Sequence, residues 1–174
     1  ERFEVPVLLR LTTRVSHVKR MAETGAREAP HTQRHGYQKD AARWITIPGH
    51  VAKRLELRAG RAAALARETE SSGWNRLEPG KDKRIGFIVI GFIVSGPAYH
   101  VVREAYPDAP ILKLGLSHPL PLGLAKRLAA IADRVLVVEE VDPIVENELR
   151  AAGLKVHGKD VLPRMGELSP QVLG

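Results

Sequence analysis

The sequence predicts an α/β fold with an open, mostly parallel sheet and helices on both faces. Three apolar runs rich in β-branched residues, at 85–94, 111–114 and 134–138, alternate with two helix-like segments at 97–106 and 121–132. Uninterrupted apolar strands separated by helices are typical of a parallel sheet buried on both sides. Helices of this length supply the crossovers that parallel neighbours require. Ligands and partners of such sheets meet the loops that follow the strands.

A strand and a long helical linker precede this sheet in the prediction. Residues 3–12 predict a strand, and residues 18–47 predict a connector with a short extended piece at 44–47. A helix is predicted from Pro48 to about residue 72, where Ser and Gly favour its end. We expect its apolar stripe to pack on the α/β core or across a subunit boundary, through Val51, Leu55, Ala62 and Leu65.

The first apolar run contains the motif Ile-Gly-Phe-Ile-Val twice in succession, at 85–89 and 90–94. Ten apolar residues exceed the usual strand length of about five or six. A shift by five residues also reverses which side chains face each side of a sheet. We expect either a long strand with an exposed first half or a break near Gly91.

The remaining segments complete the predicted domain. Residues 74–80 predict a turn, residues 143–152 a third helix that Gly153 ends in a left-handed conformation, and residues 154–157 a last short strand. An irregular tail follows. We expect the helices at 97–106 and 121–132 to turn an apolar face toward the sheet through Val101, Val102, Ala105, Leu124, Leu128 and Ile131.

Composition excludes several classes of site and location. The 174 residues include no cysteine, which excludes disulfides, cysteine nucleophiles and thiolate or iron–sulfur ligation by this chain. No apolar run approaches the roughly 18–20 residues that span a bilayer. The first residues do not form a signal peptide, and no initiator Met is present. We therefore expect a piece of a longer cytoplasmic protein with no membrane partner.

The net charge of +7 is unevenly distributed along the chain. Basic residues are dense from Arg10 to Arg84 and are mixed with acidic residues afterwards. A basic excess attracts nucleic acids, acidic proteins and other anions. Only 5% of the residues are aromatic, so platforms for stacking bases are scarce and nucleic acid is not the favoured partner. A solvated face or an interface with an acidic partner chain explains the charge.

Few residues point to catalysis by this chain. No dinucleotide-binding or Walker glycine motif is present. Ser95 stands where a nucleophile could lie, but Ile93 replaces the glycine of the elbow pattern, so a turn or helix cap is favoured. His31 and His35 are four residues apart without a supporting carboxylate, which argues against a metal site. We assign no catalytic, cofactor-binding or metal residue.

The candidate contact residues follow the strands or lie near the start of the chain. Glu139 and Glu140 end the last long strand, where they either contact a partner or form a solvated strand end. Arg10, Arg14 and His17 offer cations for an anion or for salt bridges with a neighbour. The full set of candidates for contact or anion binding is Arg10, Thr13, Arg14, His17, Ser95, Gly96, Tyr99, His118, Glu139 and Glu140.

Several motifs, taken in order, carry a resemblance to a known family. They lie at residues 6–17, 93–99, 112–115 with 119–121, 135–140 and 163–170. Together they resemble the large subunit of indolepyruvate:ferredoxin oxidoreductase over most of the chain. The doubled Ile-Gly-Phe-Ile-Val departs from the family pattern, in which a single strand leads to Ser-Gly, and leaves the register of that strand open.

The resemblance implies a thiamine-diphosphate-dependent enzyme that oxidatively decarboxylates arylpyruvates with coenzyme A. Electrons would pass through [4Fe-4S] clusters to ferredoxin. Residues 1–17 would end a pyrimidine-binding domain, residues 18–83 would form a linker, and residues 84–174 would form a transketolase-C-terminal-like domain. The Mg²⁺ motif, the cluster-binding cysteines and the glutamate that activates the cofactor would lie outside this chain.

The resemblance also implies what this chain does within the enzyme. It would serve packing and subunit contact, bind no cofactor itself and be inert alone. Its partners would be the remaining domains of the large subunit, a small subunit and, for the intact enzyme, ferredoxin. The alternative is a stand-alone basic α/β module that binds an acidic partner or an anion.

Overall fold

A computed structural model describes residues 3–9, 11–19, 21–26, 38–81 and 90–174, without the side chains of Arg14, Val15 and Ile90. The chain divides into two compact units, Glu1–Arg58 and Ala59–Gly174. In chain order, the elements of the described residues are α1 (Thr13–Ser16), α2 (Ala41–Trp44), α3 (Pro48–Ser71), β1 (Arg76–Glu78), β2 (Ile90–Ser95), α4 (Ala98–Ala105), β3 (Ile111–Leu114), α5 (Leu122–Ile131), β4 (Arg134–Val138), α6 (Ile144–Ala151) and α7 (Pro170–Leu173).

The second unit contains an open four-stranded sheet in the order β1-β3-β2-β4. Strand β2 lies between β3 and β4 and is parallel to both, with Phe92 opposite Ile111 on one side and Leu136 on the other. Strand β1 is antiparallel to β3. The predicted open and mostly parallel sheet is therefore confirmed.

Helices cover both faces of this sheet, as the alternation of strand side chains requires. One face packs on α5 and α6 through Ile93, Leu112, Leu114, Leu124, Ala125, Leu128, Val135, Val137, Val145 and Leu149. The other face packs on α4 and the C-terminal tail through Phe92, Val94, Ala98, Val102, Ile111, Val138, Leu162 and Leu168. The predicted helices on both faces are confirmed.

Gly91 allows helix α5 to approach the central strand closely. A Cβ atom at this position would lie 2.9 Å from the Cβ of Ala132 and 3.1 Å from Cδ1 of Leu128. Both distances are shorter than ordinary contacts between carbon atoms. The second copy of the repeated motif therefore fits β2 because its glycine lies under α5. The first copy, at 85–89, lies outside the described residues, and the question of its register stays open.

Three predictions for the second unit are wrong in detail. Residues 74–80 include β1, which pairs with β3 in place of forming only a turn. Ile131, the last residue of α5, is 46% exposed and does not join the buried face that Leu124 and Leu128 form. Residues 154–157 form a single bridge between His157 and Leu136 where a strand was predicted. Helix α6 and the left-handed Gly153, with a φ of +83°, agree with the prediction.

The first unit departs further from the prediction. Residues 3–9 and 11–12 form no strand, because no strand among the described residues pairs with them. The predicted extended piece at 44–47 is wrong at its first residue, because Trp44 ends α2; Ile45 has an extended backbone. Helix α3 confirms the predicted helix almost to the residue. Its stripe is not fully buried within the described residues: Val51 and Leu65 are part-buried, and Leu55 is 55% exposed. Packing of the stripe across a subunit boundary stays a prediction.

The close approach at Gly91 gives a direct test of the packing. Gly91→Ala should lower the free energy of unfolding by about 1–3 kcal/mol, because the new methyl group overlaps Ala132 and Leu128. Gly60→Ala is the control, because a Cβ there meets nothing within 4 Å in the middle of α3. It should raise stability by about 0.5–1 kcal/mol. Chemical denaturation measures both, and equal effects would show that α5 does not lie on Gly91.

Candidate functional site

The loops that follow β2, β3 and β4 lie at one edge of the sheet, because the three strands are parallel. These loops are residues 96–97, 115–121 and 139–143, in the region where α/β proteins bind ligands and partners. Strand β1 runs in the opposite direction, so the chain enters it at this same edge, just after Asn75. Polar side chains connect the segments that meet at this edge.

Asn75 joins the end of α3 to the loop after β3. Its side chain is buried; its Nδ2 donates to the carbonyl oxygen of Thr69 at 2.9 Å. Its Oδ1 accepts from the amides of Gly115 and Leu116, both at 2.9 Å. The side-chain amide of Asn75 therefore forms hydrogen bonds with three backbone groups from two segments. Gly115 must be small here, since a Cβ would lie 2.5 Å from the carbonyl oxygen of Trp74.

A glutamate of α3 caps helix α5. The carboxylate of Glu70 accepts from the amide of Gly123 at 2.6 Å and from the amide of Leu124 at 2.9 Å. These amides belong to the first turn of α5, where no carbonyl of the helix can accept from them. Pro121 stands at the N-cap position and provides no side-chain cap. A carboxylate also interacts favourably with the positive end of the helix dipole.

A second glutamate caps helix α6 in the same way. The carboxylate of Glu139 accepts from the amides of Val145 at 3.0 Å and Glu146 at 2.9 Å. Pro143 stands at the N-cap position of α6 without a side-chain cap. The ammonium group of Lys159 donates to the carbonyl oxygen of Glu139. Glu139 is therefore bound to the fold and is not the freely solvated strand end that was one alternative.

A network of charges ties the segment after α6 to that helix. Glu146 has only 2% of its side chain exposed, forms an ion pair with Arg150 and accepts from the amide of Lys159 at 2.8 Å. Arg150 also contacts Asp160 at 3.4 Å. Asp160 accepts from the amide of Gly158 at 2.6 Å and lies 2.7 Å from Nδ1 of His157. The hydrogen bond from Gly158 and then that from His157 lower the pKa of Asp160 to about 2.

A separate polar set links the end of β1 to helix α4 at the opposite edge of the sheet, because Glu78 pairs with Ile111, the first residue of β3. Arg103 donates to the carboxylate of Glu78 and to the carbonyl oxygens of Pro107 and Ala109. The hydroxyl of Tyr99 donates to Glu78 at 3.1 Å. Burial opposes the charge on Glu78, but the hydrogen bonds from Arg103 and Tyr99 outweigh it and hold the pKa of this carboxyl below its usual range.

These sets stabilise the fold and do not form a catalytic constellation. Within the ranges that the structure describes, no three His, Asp or Glu side chains lie close enough to hold a metal ion. The sequence has no cysteine to bind an iron–sulfur cluster. No described helix is long and apolar enough to cross a membrane. Each of three carboxylates interacts with a helix end or a cation of this chain: Glu70, Glu139 and Glu146. The polar groups at this edge therefore connect elements of the chain to one another.

Comparison with curated proteins gives relatives of one kind. The chain is 34% identical over 99% of its length to the indolepyruvate oxidoreductase subunit IorA of Methanothermobacter thermautotrophicus. It is 32% identical over 97% of its length to that of Thermococcus kodakarensis. The chain is homologous to one segment of IorA. The predicted resemblance is therefore confirmed. The matches cover only 29% and 28% of those two relatives. No family model matches the chain.

A solved structure supports the fold of the IorA-like chain. It is a 2-oxoglutarate:ferredoxin oxidoreductase from Magnetococcus marinus with 2-oxoglutarate, coenzyme A and succinyl-CoA bound. The TM-score is 0.56, and the match covers 74% of this chain and 23% of that chain. At 18% identity, this likeness shows a shared α/β fold alone.

The candidate residues of the IorA-like chain lie in separate places. Ser95 ends β2, and Gly96 follows it with a φ of +54°. Tyr99 belongs to the set around Glu78. His118 is exposed at 3.9 Å from Glu148 of α6. The carboxylate of Glu140 has no hydrogen-bond or ion-pair partner among the described residues. A contact or anion-binding role stays a prediction for all of them.

The candidates of the first unit are only partly described. Thr13 and Arg14 lie in the short helix α1, and Thr13 is exposed. His17 follows this helix and is exposed, with its amide bonded to the carbonyl oxygen of Thr13 at 2.9 Å. Arg10 lies outside the described residues. The anion site predicted for this group therefore stays a prediction as well.

Sequence reasoning missed the residues that join the elements of the second unit. Glu70, Asn75 and Lys159 act on segments between 20 and 54 residues away, and no local pattern marks such pairs. One signal was available for the caps. Helices α5 and α6 both follow a proline and lack Ser, Thr, Asp or Asn at the N-cap, which predicts that their first amides need a distant acceptor.

The neighbours Glu139 and Glu140 give a matched test of the cap on α6. Glu139→Ala should lower the free energy of unfolding by about 1–2 kcal/mol, because two amides of the first turn lose their acceptor. Glu140→Ala should change it by less than about 0.5 kcal/mol, as is usual at a surface position without such contacts. Urea denaturation of both variants measures the difference. An equal loss of stability in both variants would show that the Glu139 carboxylate does not cap α6.

The low pKa of Asp160 predicts a pH dependence for the network after α6. A carboxyl with a depressed folded pKa contributes stability that is complete above about pH 4 and is lost as the pH falls through about 2. Asp160→Asn should therefore lower stability at pH 7 by less than about 1 kcal/mol, since the pair is solvent-screened. The difference from the unmodified chain should shrink between pH 4 and pH 2. A difference that stays constant over this range would show that the charge contributes nothing.

Proposed function

We propose that the chain is a structural segment of the large subunit of an indolepyruvate:ferredoxin oxidoreductase. The enzyme oxidatively decarboxylates arylpyruvates to acyl-coenzyme A and reduces ferredoxin. One observation carries this proposal: the chain aligns with IorA subunits over 97–99% of its own length at 34% and 32% identity. A similarity that extends from one end of the chain to the other is expected when the two proteins share a function as well as a fold.

Within this enzyme, the segment serves packing and contact between parts of the assembly. This role is supported by the side chains at the carboxyl edge of the sheet, because Asn75, Glu70 and Glu139 all bind backbone amides of this chain. Residues 1–17 end a pyrimidine-binding domain, residues 18–83 form a linker, and residues 84–174 form a transketolase-C-terminal-like domain. The exposed apolar side chains near the start of the chain, such as that of Leu8, support the first assignment, because a domain end needs the rest of its sheet.

The cofactors belong to other parts of the enzyme in this proposal. Thiamine diphosphate, Mg²⁺ and [4Fe-4S] clusters bind outside these residues, and the lack of cysteine in the chain supports that placement of the clusters. The partners are the remaining domains of the large subunit, a small subunit and ferredoxin. A cytoplasmic location is part of the same proposal.

The test uses the complete large subunit, encoded by the gene that contains this sequence, together with its small subunit. We expect arylpyruvate-dependent reduction of an electron acceptor that requires both coenzyme A and thiamine diphosphate. The 174-residue chain should show no such activity under the same conditions. Activity with aliphatic 2-oxoacids alone would correct the substrate class. Absence of any thiamine-dependent oxidation of 2-oxoacids by the purified complex would overturn the proposal.

A further inference from the structure

The described residues of the first unit form helices but no buried core. No described residue of Glu1–Arg58 is buried, whereas the second unit contains two apolar clusters. Large exposed apolar side chains of the first unit include Leu8, Leu9, Met21, Trp44, Ile45, Ile47, Leu55 and Leu57. Ordering the backbone costs roughly 1–2 kcal/mol per residue, and burial of apolar surface is the main term that offsets this cost. A second surface must therefore complete this unit.

The best-defined part of that unit is a turn between two helices, here called the basic corner and comprising residues 41–58. Asp40 caps α2 by accepting from the amide of Arg43 at 3.0 Å. Nδ1 of His50 lies 3.1 Å from the carbonyl oxygen of Ile45, which fixes the start of α3 against the end of α2. The guanidinium of Arg43 lies 5.0 Å from the ring centre of Trp44. Local polar contacts thus set the shape of the corner while its apolar side chains stay exposed.

One face of the corner combines apolar and basic side chains. Ile47, Val51 and Leu55 are spaced four residues apart, so they lie in one row along the start of α3. Arg54 and Arg58 are three residues after Val51 and Leu55 and flank this row. Neither arginine has an ion-pair partner among the described residues. Ile47 and Leu55 are 50% and 55% exposed and Val51 is part-buried. An apolar row bordered by cations is typical of an interface with a polar rim.

The charge of the chain indicates the kind of surface that covers this face. The first 58 residues contain twelve basic and six acidic side chains, a net charge of +6, while the remaining residues contain fifteen and fourteen, a net charge of +1. Almost all of the net charge therefore belongs to the first unit, in which no described residue is buried. Complementary charge across an interface steers partners and excludes wrong ones. The covering surface is accordingly acidic with an apolar centre.

We propose that the basic corner is the docking surface for an acidic region of the same large subunit that lies outside these 174 residues. This inference rests on the proposed function. It is supported by the length of the relatives, because more than two thirds of each IorA subunit lies outside its match to this chain. The corner lies inside the matched region, so each relative has a corresponding segment beside a large additional polypeptide. Docking buries Ile47, Val51 and Leu55 and pairs Arg54 and Arg58 with carboxylates.

Two leucines of α3 give a matched test. Leu55 and Leu57 are 55% and 59% exposed, but they point to nearly opposite sides of the helix, about 200° apart. In the intact large subunit, Leu55→Asp should lower the melting temperature by at least about 4 °C, whereas Leu57→Asp should leave it within about 1 °C. In the 174-residue chain, both substitutions should have the same small effect. Equal effects of the two substitutions in the intact subunit would overturn the proposal.

The arginines test the charge of the partner surface by a second route. Arg54→Glu with Arg58→Glu should lower the melting temperature of the intact subunit, and the loss should shrink at high salt. Lys53→Glu is the control. Lys53 lies on the side of α3 opposite Val51 and Leu55, so this substitution should not change the melting temperature. A concentration-dependent dimer of the 174-residue chain that Leu55→Asp abolishes, or tight binding of the chain to arbitrary duplex DNA, would assign the corner to another partner and overturn the proposal. All these measurements record folding or binding, so they remain interpretable if the enzyme activity is not found.

Discussion

Two glutamate carboxylates hold both helices on one face of the sheet. Helices α5 and α6 begin after prolines and lack caps of their own, so Glu70 and Glu139 accept hydrogen bonds from their first amides. Each charged cap contributes about 1–2 kcal/mol, which is a large share of the roughly 5–15 kcal/mol that stabilises a typical domain. Because Glu70 lies in the last part of α3, which belongs to the second unit, the cap on α5 also fixes the end of α3 within that unit. The position of Asn75 and of the loop after β3 follows from that attachment.

This arrangement explains why the carboxyl edge of the sheet contains polar residues without a catalytic group. Carboxylates at this edge usually suggest ligand binding. Here their oxygen atoms accept from amides of the same chain, and the buried Glu146 is paired with Arg150. Even the low pKa of Asp160 has a structural cause, the short hydrogen bond from Gly158. These contacts agree with the proposed function, in which other domains of the enzyme carry out the chemistry.

Patterns within a few residues of each other predicted the central part of the fold. Strands β2, β3 and β4 are apolar runs that remain buried on both faces, and α3 to α6 have helical periodicity, so local sequence was sufficient. Strand β1 was missed because Arg76, Leu77 and Glu78 form no apolar run and only pairing with β3 makes them a strand. The strand predicted at 3–12 has the right composition but no partner strand among the described residues. Of the candidate site, Glu139 was identified from its position, whereas Glu70 and Asn75 act over distances that a sequence pattern does not show.

We infer that the second unit folds by itself, whereas the first unit depends on polypeptide outside these residues for its folding. Amide hydrogen exchange, recorded for the 174-residue chain and for the intact large subunit, tests this claim most directly. We expect amides of β2, β3, β4, α5 and α6 to be equally protected in both proteins, and amides of residues 41–58 to be protected only in the intact subunit. Strong protection of residues 41–58 in the 174-residue chain would contradict it.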